Sequence, residues 1–180
     1  MRIQFVKPDL HALDQIRAEA LVVCLFQDER PPRGLAGLLD WRLCGRLSDM
    51  LIAQRVSGAA GEAVLFPSYG RLPFGRVCAF GLGAASDFTS SRAREVSGQI
   101  ATSLHKLRVG SFATALPGSP RATIAPRVRL ELLLEELTRV FGADDAGAGV
   151  DAYVIEPSEH HRELAEVVSV ATRRWRGIWK

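Results

Sequence analysis

Several groupings of residues have types and spacings that could do chemistry. Gly81-x-Gly83-x-x-Ser86 follows the apolar run Val77-Cys78-Ala79-Phe80. Glycine lets backbone N–H groups approach an anion closely, so the pattern invites a phosphate-loop reading. Its third position is serine, no acidic residue stands about 20 residues further on to hold a ribose, and no Gly-Lys-Ser/Thr follows. A tight turn accounts for the same glycines and is the favoured explanation. A ligand site of this kind would lie at the carboxyl ends of the strands, with Gly81, Gly83 and Ser86 as its candidates.

Glu159-His160-His161-x-Glu163 is the only cluster of metal-ligand types in the sequence. His160 and Glu163 stand at a spacing that shares a helical face. A structural metal takes about four ligands and a catalytic one about three plus water, and no cysteine or further histidine is placed to complete either set. Carboxylates in a solvated first helical turn explain the cluster, so neither a metal nor a cofactor is expected. His11 and His105 are isolated, and no Gly-x-Ser-x-Gly or Ser/His/Asp grouping occurs. Cys24 and Cys78 sit inside strand-like runs without a nearby base, where thiols are inert. No catalytic residue is assigned.

The last grouping is Arg173-Arg174-Trp175-Arg176-Gly177-Ile178-Trp179-Lys180. Cations interleaved with tryptophan could grip a nucleic-acid backbone and stack on bases. They could equally be helix C-terminal cations with aromatic anchors for a partner subunit. Packing or a protein interface is favoured, nucleic acid being second, with Arg173, Arg174, Trp175, Arg176 and Trp179 as the candidate contacts.

The elements that must position these residues alternate along the chain. Apolar runs at 2–6, 20–26, 62–67, 76–80, 111–116 and 150–155 read as strands, the third and fourth joined as a hairpin. Helical spacing appears around 9–16, from Leu35 to a stop at Ser57-Gly58 with Gly45 as a weak point, and from Val96 to Leu107. It returns over 126–141, between Pro126 and Gly142, and again from Ser158, an expected N-cap, through Arg174. Residues 143–149 read as a flexible connection. The pattern argues one three-layer α/β/α domain over 1–180 with a mixed central sheet, ending in a C-terminal helix and basic tail over 158–180.

Composition agrees. A chain of 180 residues, 47% hydrophobic, buries enough core to fold without disulfide or metal. Its net charge of +3 does not by itself imply nucleic acid. No apolar run approaches the ~20 residues of a membrane span, and the amino terminus reads as a strand, not a signal peptide. Three cysteines leave one unpaired in any pairing scheme, which suits a reducing, cytoplasmic setting.

Four segments stand in a recognisable order. Residues 20–26 give Ala-Leu-Val-Val-x-x-Phe, and 58–67 give Gly-Ala-Ala-Gly-Glu-Ala-Val-Leu-Phe-Pro. Residues 75–83 give Gly-Arg-Val-x-x-x-Gly-Leu-Gly, and 107–117 give Leu-x-x-x-Ser-x-x-x-x-Leu-Pro. Together they resemble the N-terminal domain of the leucyl aminopeptidase family, the M17 metallopeptidases. The resemblance implies a macro-domain-like fold. In that family a larger domain carrying two metal ions follows, about where Lys180 stands here. Its signature Asn-Thr-Asp-Ala-Glu-Gly-Arg is absent, because the sequence contains no asparagine. The expectation is a non-catalytic, stand-alone homologue with a structural or regulatory role, acting as a homo-oligomer or through a separately encoded partner protein. The alternatives are a macro-like module for a nucleotide-derived or anionic ligand, one subunit of a split aminopeptidase, and nucleic-acid binding through the basic tail.

Overall fold

The computed structural model describes residues 1–142 and 150–175. Its elements, in chain order, are β1 (Arg2–Val6), α1 (Leu10–Gln15), β2 (Ala20–Phe26), α2 (Gly34–Arg42), α3 (Arg46–Ile52), β3 (Ala63–Pro67) and β4 (Arg76–Gly83). They continue with α4 (Ser90–Lys106), β5 (Ser111–Thr114), α5 (Pro126–Phe141), β6 (Asp151–Ile155) and α6 (Ser158–Arg174). The strands form one sheet in the order β1-β6-β5-β2-β4-β3, parallel throughout except for β3, which runs antiparallel to β4.

The apolar run of β2 is covered on both faces. Leu21, Val23 and Leu25 join a core with Leu39, Leu47 and Leu51 of α2 and α3, while Ala20, Val22 and Phe26 join one with Ile100, Leu133 and Leu164 of α4, α5 and α6. Alternate side chains of β4 divide the same way. The result is the three-layer α/β/α arrangement with a mixed sheet. Each large aliphatic side chain buried here contributes roughly 1.5–3 kcal/mol before conformational entropy is subtracted.

Local chemistry fixes several boundaries. Asp9 caps α1 by accepting from Ala12 N at 2.7 Å, and Thr89 caps α4 by accepting from Arg92 N at 3.4 Å. Where one helix is expected from Leu35 onward, the chain forms two, because Cys44 and Gly45 both take left-handed conformations (φ 54° and 83°). The second ends at Ile52, before the expected Ser57-Gly58 stop. β4 runs on through both glycines to Gly83, and β5 ends at Thr114. Ser158 is the first residue of α6 and not its cap; Pro157 holds that position without a side-chain hydrogen bond. The connection at 143–149 lies outside the described residues.

Cys24, Cys44 and Cys78 are free thiols. Burial pushes the Cys24 thiol up to about 12, and raises Cys78 too, where the Arg76 charge pulls the other way. Once unfolded, Cys24 would titrate near its ordinary value of 9.0. Above that pH the unfolded chain sheds a proton that the folded chain keeps. Stability is therefore fully present below the ordinary thiol value and falls as pH rises toward the folded one. Cys24→Ala is expected to flatten that fall in urea unfolding at about pH 8 and about pH 10.5; identical pH dependence in both proteins counts against it.

Candidate functional site

The carboxyl ends of β2, β4, β5 and β6 meet at one end of the sheet, the place where ligands of open α/β sheets bind. At β4 the register slips, so that Leu25 pairs with Gly81 and Phe26 with Gly83, leaving Leu82 as the extra residue. The slip brings the turn at 58–60 against the strand. A Cβ on Gly81 would stand 1.9 Å from the Ala59 carbonyl oxygen, and Gly83, at φ 80°, faces the Ala60 side chain. The Gly81 N–H donates to Glu62 O and the Gly83 N–H to Gly58 O, both at 2.9 Å. Close backbone approach thus accounts for the two glycines. Ser86 is exposed and donates from its hydroxyl to Asp87 Oδ1 at 2.9 Å. The structure places the two glycines at the end of β4 and Ser86 in the short 3-10 turn after it, with the glycine amides already bonded inside the fold.

The loop after β5 is held from below. Glu156, at the end of β6, is 2% exposed. Its Oε1 accepts from Leu116 N at 3.1 Å and from the Ser119 hydroxyl at 2.6 Å. Arg129 reaches up from α5 and donates to Ser119 Oγ, Leu116 O, Pro117 O and Ile124 O. Burial pulls the Arg129 guanidinium below its ordinary value, and the Glu156 charge opposes that shift. His160 Nδ1 lies 3.6 Å from Glu156 Oε2, and His161 Nε2 lies 2.7 Å from Glu156 O. The two histidines of the sequence cluster therefore serve the strand end, while Glu163 lines a groove between α5 and α6. Among the described residues no three His, Cys, Asp or Glu side chains gather so as to hold a metal ion.

Above this base the loops touch one another. A Cβ at Gly118 would lie 2.5 Å from Phe88 Cε1, and one at Gly34 would lie 3.0 Å from Pro120 Cδ. Phe88 meets Phe26 edge-on at 5.3 Å, and Arg121 lies over the same Phe26 ring at 6.0 Å. Asp28 Oδ1 accepts from Ala85 N at 3.0 Å. Glu29 is 8% exposed, with Oε1 at 3.9 Å from Arg121 Nε and without a hydrogen-bond donor. None of Glu29, Ser119, Arg121, Arg129 or Glu156 stands out in the sequence. Arg129 alone leaves a signal, as a charge four residues before Leu133 within the apolar pattern of α5.

At the carboxyl end of α6, Arg173 and Arg174 are exposed, and Arg174 lies 5.3 Å over the half-buried Trp175 ring. Arg176 and Trp179 lie outside the described residues.

Residues 22–134 match the N-terminal domain of the cytosol aminopeptidase family. The chain belongs to that family. A probable cytosol aminopeptidase of Geobacter sp. (strain M21) is 36% identical over 107 residues, which is 58% of this chain and 21% of the relative. The cytosol aminopeptidase match thus spans about a fifth of that relative's length. Among solved structures, a variant of tomato leucine aminopeptidase superposes with a TM-score of 0.62 at 17% identity, covering 96% of this chain and 36% of that one. A Trypanosoma brucei macrodomain in complex with ADP gives 0.72 at 14% identity, covering 93% of this chain and 69% of that one. The fold is that of a macrodomain.

Gly81→Ala is expected to cost at least about 2 kcal/mol in urea unfolding, because backbone must move to admit the methyl group. Ser86→Ala is expected to stay within about 0.5 kcal/mol of the parent. Equal stabilities for the two variants would contradict the packing role given to Gly81.

Proposed function

We propose that this member of the cytosol aminopeptidase family is non-catalytic and has a structural or regulatory role, exerted by association with itself or with a separately encoded partner protein. The observation that supports the reading is the close packing of the loops at the carboxyl ends of the strands: Phe88 lies against Gly118, Pro120 against Gly34 and Arg121 over Phe26. Its large exposed side chains, Trp41, Ile52, Leu65, Tyr69 and Val170, lie on outer surfaces and offer material for association. A separately encoded catalytic subunit is one form such a partner takes. Free thiols fit a cytoplasmic setting, and among the described residues no helix is long and apolar enough to cross a membrane. The purified chain, supplied with manganese or zinc, is expected to leave leucine p-nitroanilide uncleaved. Hydrolysis that a chelator abolishes would overturn the reading.

A second reading rests on Glu29. Its buried Oε1, beside Arg121 but without a hydrogen-bond donor, suits a ligand that brings a hydroxyl or amino donor together with an anionic group, as a nucleotide does. The Trypanosoma brucei neighbour holds ADP. In calorimetry against ADP and ADP-ribose, this reading expects heat that Arg121→Ala removes. No heat at millimolar ligand sinks it.

A further inference from the structure

The two edges of the sheet are unlike. β1 closes one side and β3 the other. A strand at an edge leaves the N–H and C=O of every second residue without a ladder partner. On β1 the exposed side chains are Arg2 and Gln4, and Lys7-Pro8 follows, a polar and charged edge of the kind that discourages pairing. On β3 they are Ala63, Leu65 and Pro67, with Leu65 52% exposed. No charged side chain lies within β3.

Register shows which backbone groups of β3 are free. One residue before the Ala63–Phe80 pair, Gly81 N donates to Glu62 O at 2.9 Å, so the bonded pairs continue at Val64 with Ala79 and at Phe66 with Val77. The N–H groups of Ala63 and Leu65, and the carbonyls of Ala63, Leu65 and Pro67, therefore point outward. Pro67 lacks an N–H, which costs nothing at a position facing away from the ladder. Among the described residues no other backbone bond takes these groups up.

Side chains divide in the same alternation. Val64 and Phe66 pack on the α2–α3 face, while Ala63 and Leu65 lie on the α4 face beside Phe80 and Cys78. Between β3 and α4 runs a groove lined by Leu65, Cys78, Phe80 and Leu107, with Lys106 beside them. Among the described residues Lys106 has no ion-pair partner. Past Ala63 and Ser103 the groove continues along α4 and becomes polar. Its charged groups there are matched, Glu95 by Arg92 and Glu136 by Arg94 and Arg139. Gln99 is not, since its Oε1 is buried without a hydrogen-bond partner.

We propose that β3 takes up an extended segment of a partner protein as a further strand of the sheet, with apolar side chains at alternate positions seated in the β3–α4 groove and an acidic one near Lys106. The proposal rests on the reading that the protein acts through a partner protein, and names the edge and the kind of segment. The backbone names the occupant. Water meets the outward groups singly, whereas another extended chain meets them together, and its period of two sets every second side chain over the groove. An α-helix uses its own backbone groups internally and would leave those of β3 unmatched. A donor brought past Ala63 also supplies what Gln99 lacks.

Panning the full chain against phage-displayed random linear peptides tests this, each about nine residues long and so able to span β3 at ~3.4 Å per residue. Enriched peptides are expected to carry apolar residues at alternate positions and an acidic residue among them. In fluorescence anisotropy with an enriched peptide, Leu65→Pro, which removes an outward N–H that β4 does not use, is expected to weaken binding at least about tenfold. Circular dichroism checks that this variant folds. N-methylation along the peptide is expected to weaken binding to the parent chain at every second amide and to spare those between, a readout that needs no variant. Lys106→Glu is expected to turn the preference toward a peptide whose acidic residue is replaced by lysine. No enrichment, N-methyl effects without a period of two, binding indifferent to Leu65→Pro, or an unchanged charge preference in Lys106→Glu overturns the inference. So does an edge already taken by a second copy, seen in sedimentation as a dimer that Leu65→Pro dissociates. Each of these outcomes leaves the wider reading intact, because chelator-sensitive hydrolysis is what overturns the latter.

Discussion

Glu156 is 2% exposed, and a carboxylate withdrawn that far from water must be matched by donors or give up its charge. The surrounding structure supplies the match. The Leu116 amide and the Ser119 hydroxyl bond one oxygen, His160 stands near the other, and Arg129 holds Ser119 from α5. Four parts of the chain are fixed by this group: the end of β6, the loop after β5, α5 and the first turn of α6. Arg129 is buried with it, so neither charge is stable alone, and loss of either would strand the other. The arrangement is worth more as a constraint on where the loop lies than as a source of net stability.

That constraint decides the character of the crevice. With Ser119 pinned, Gly118 lies against Phe88, Pro120 against Gly34 and Arg121 over Phe26. Phe88 and Pro120 thereby close the gaps between these loops. Glu29 departs from this economy, holding an oxygen without a hydrogen-bond donor beside an arginine at 3.9 Å, and His160 Nδ1 is likewise buried without a hydrogen-bond partner. A buried polar atom left unmatched is costly, and such atoms mark either a missing ligand or stored strain. The ligand reading stays attached to the Glu29 oxygen and not to the glycines.

The layers were legible because they follow from local pattern. The uninterrupted run of β2 can be satisfied only by cover on both faces, and α5 is bounded by Pro126 and Gly142 in the order a helix requires. Features that depend on distant partners were not. Gly81 has the same local context in a phosphate loop as in a packed strand; only the Ala59 carbonyl at 1.9 Å from its missing Cβ separates them. His160 and Glu163 have helical spacing for a shared ligand, yet Glu156 engages the histidine and the glutamate turns to the α5–α6 groove. The pairing of Arg129 with Ser119 joins α5 to the loop after β5, and no local pattern encodes the partner.

The helix break after Leu43 ties sequence to surface most directly. Leucines at helical spacing run past it, so hydrophobic pattern alone favours one continuous helix. Cys44 and Gly45 in left-handed conformations instead turn the chain, and Asp40 secures the turn through the Ser48 amide and hydroxyl. A continuous helix would carry Arg46 along one axis with Trp41. The break lets α2 and α3 each bury their leucines against the sheet while Trp41, Cys44 and Arg46 gather on the outside, within reach of Arg71 from the β3–β4 loop. Cys44 accepts left-handed geometry that favours glycine, and the strain is retained beside an exposed aromatic and basic surface.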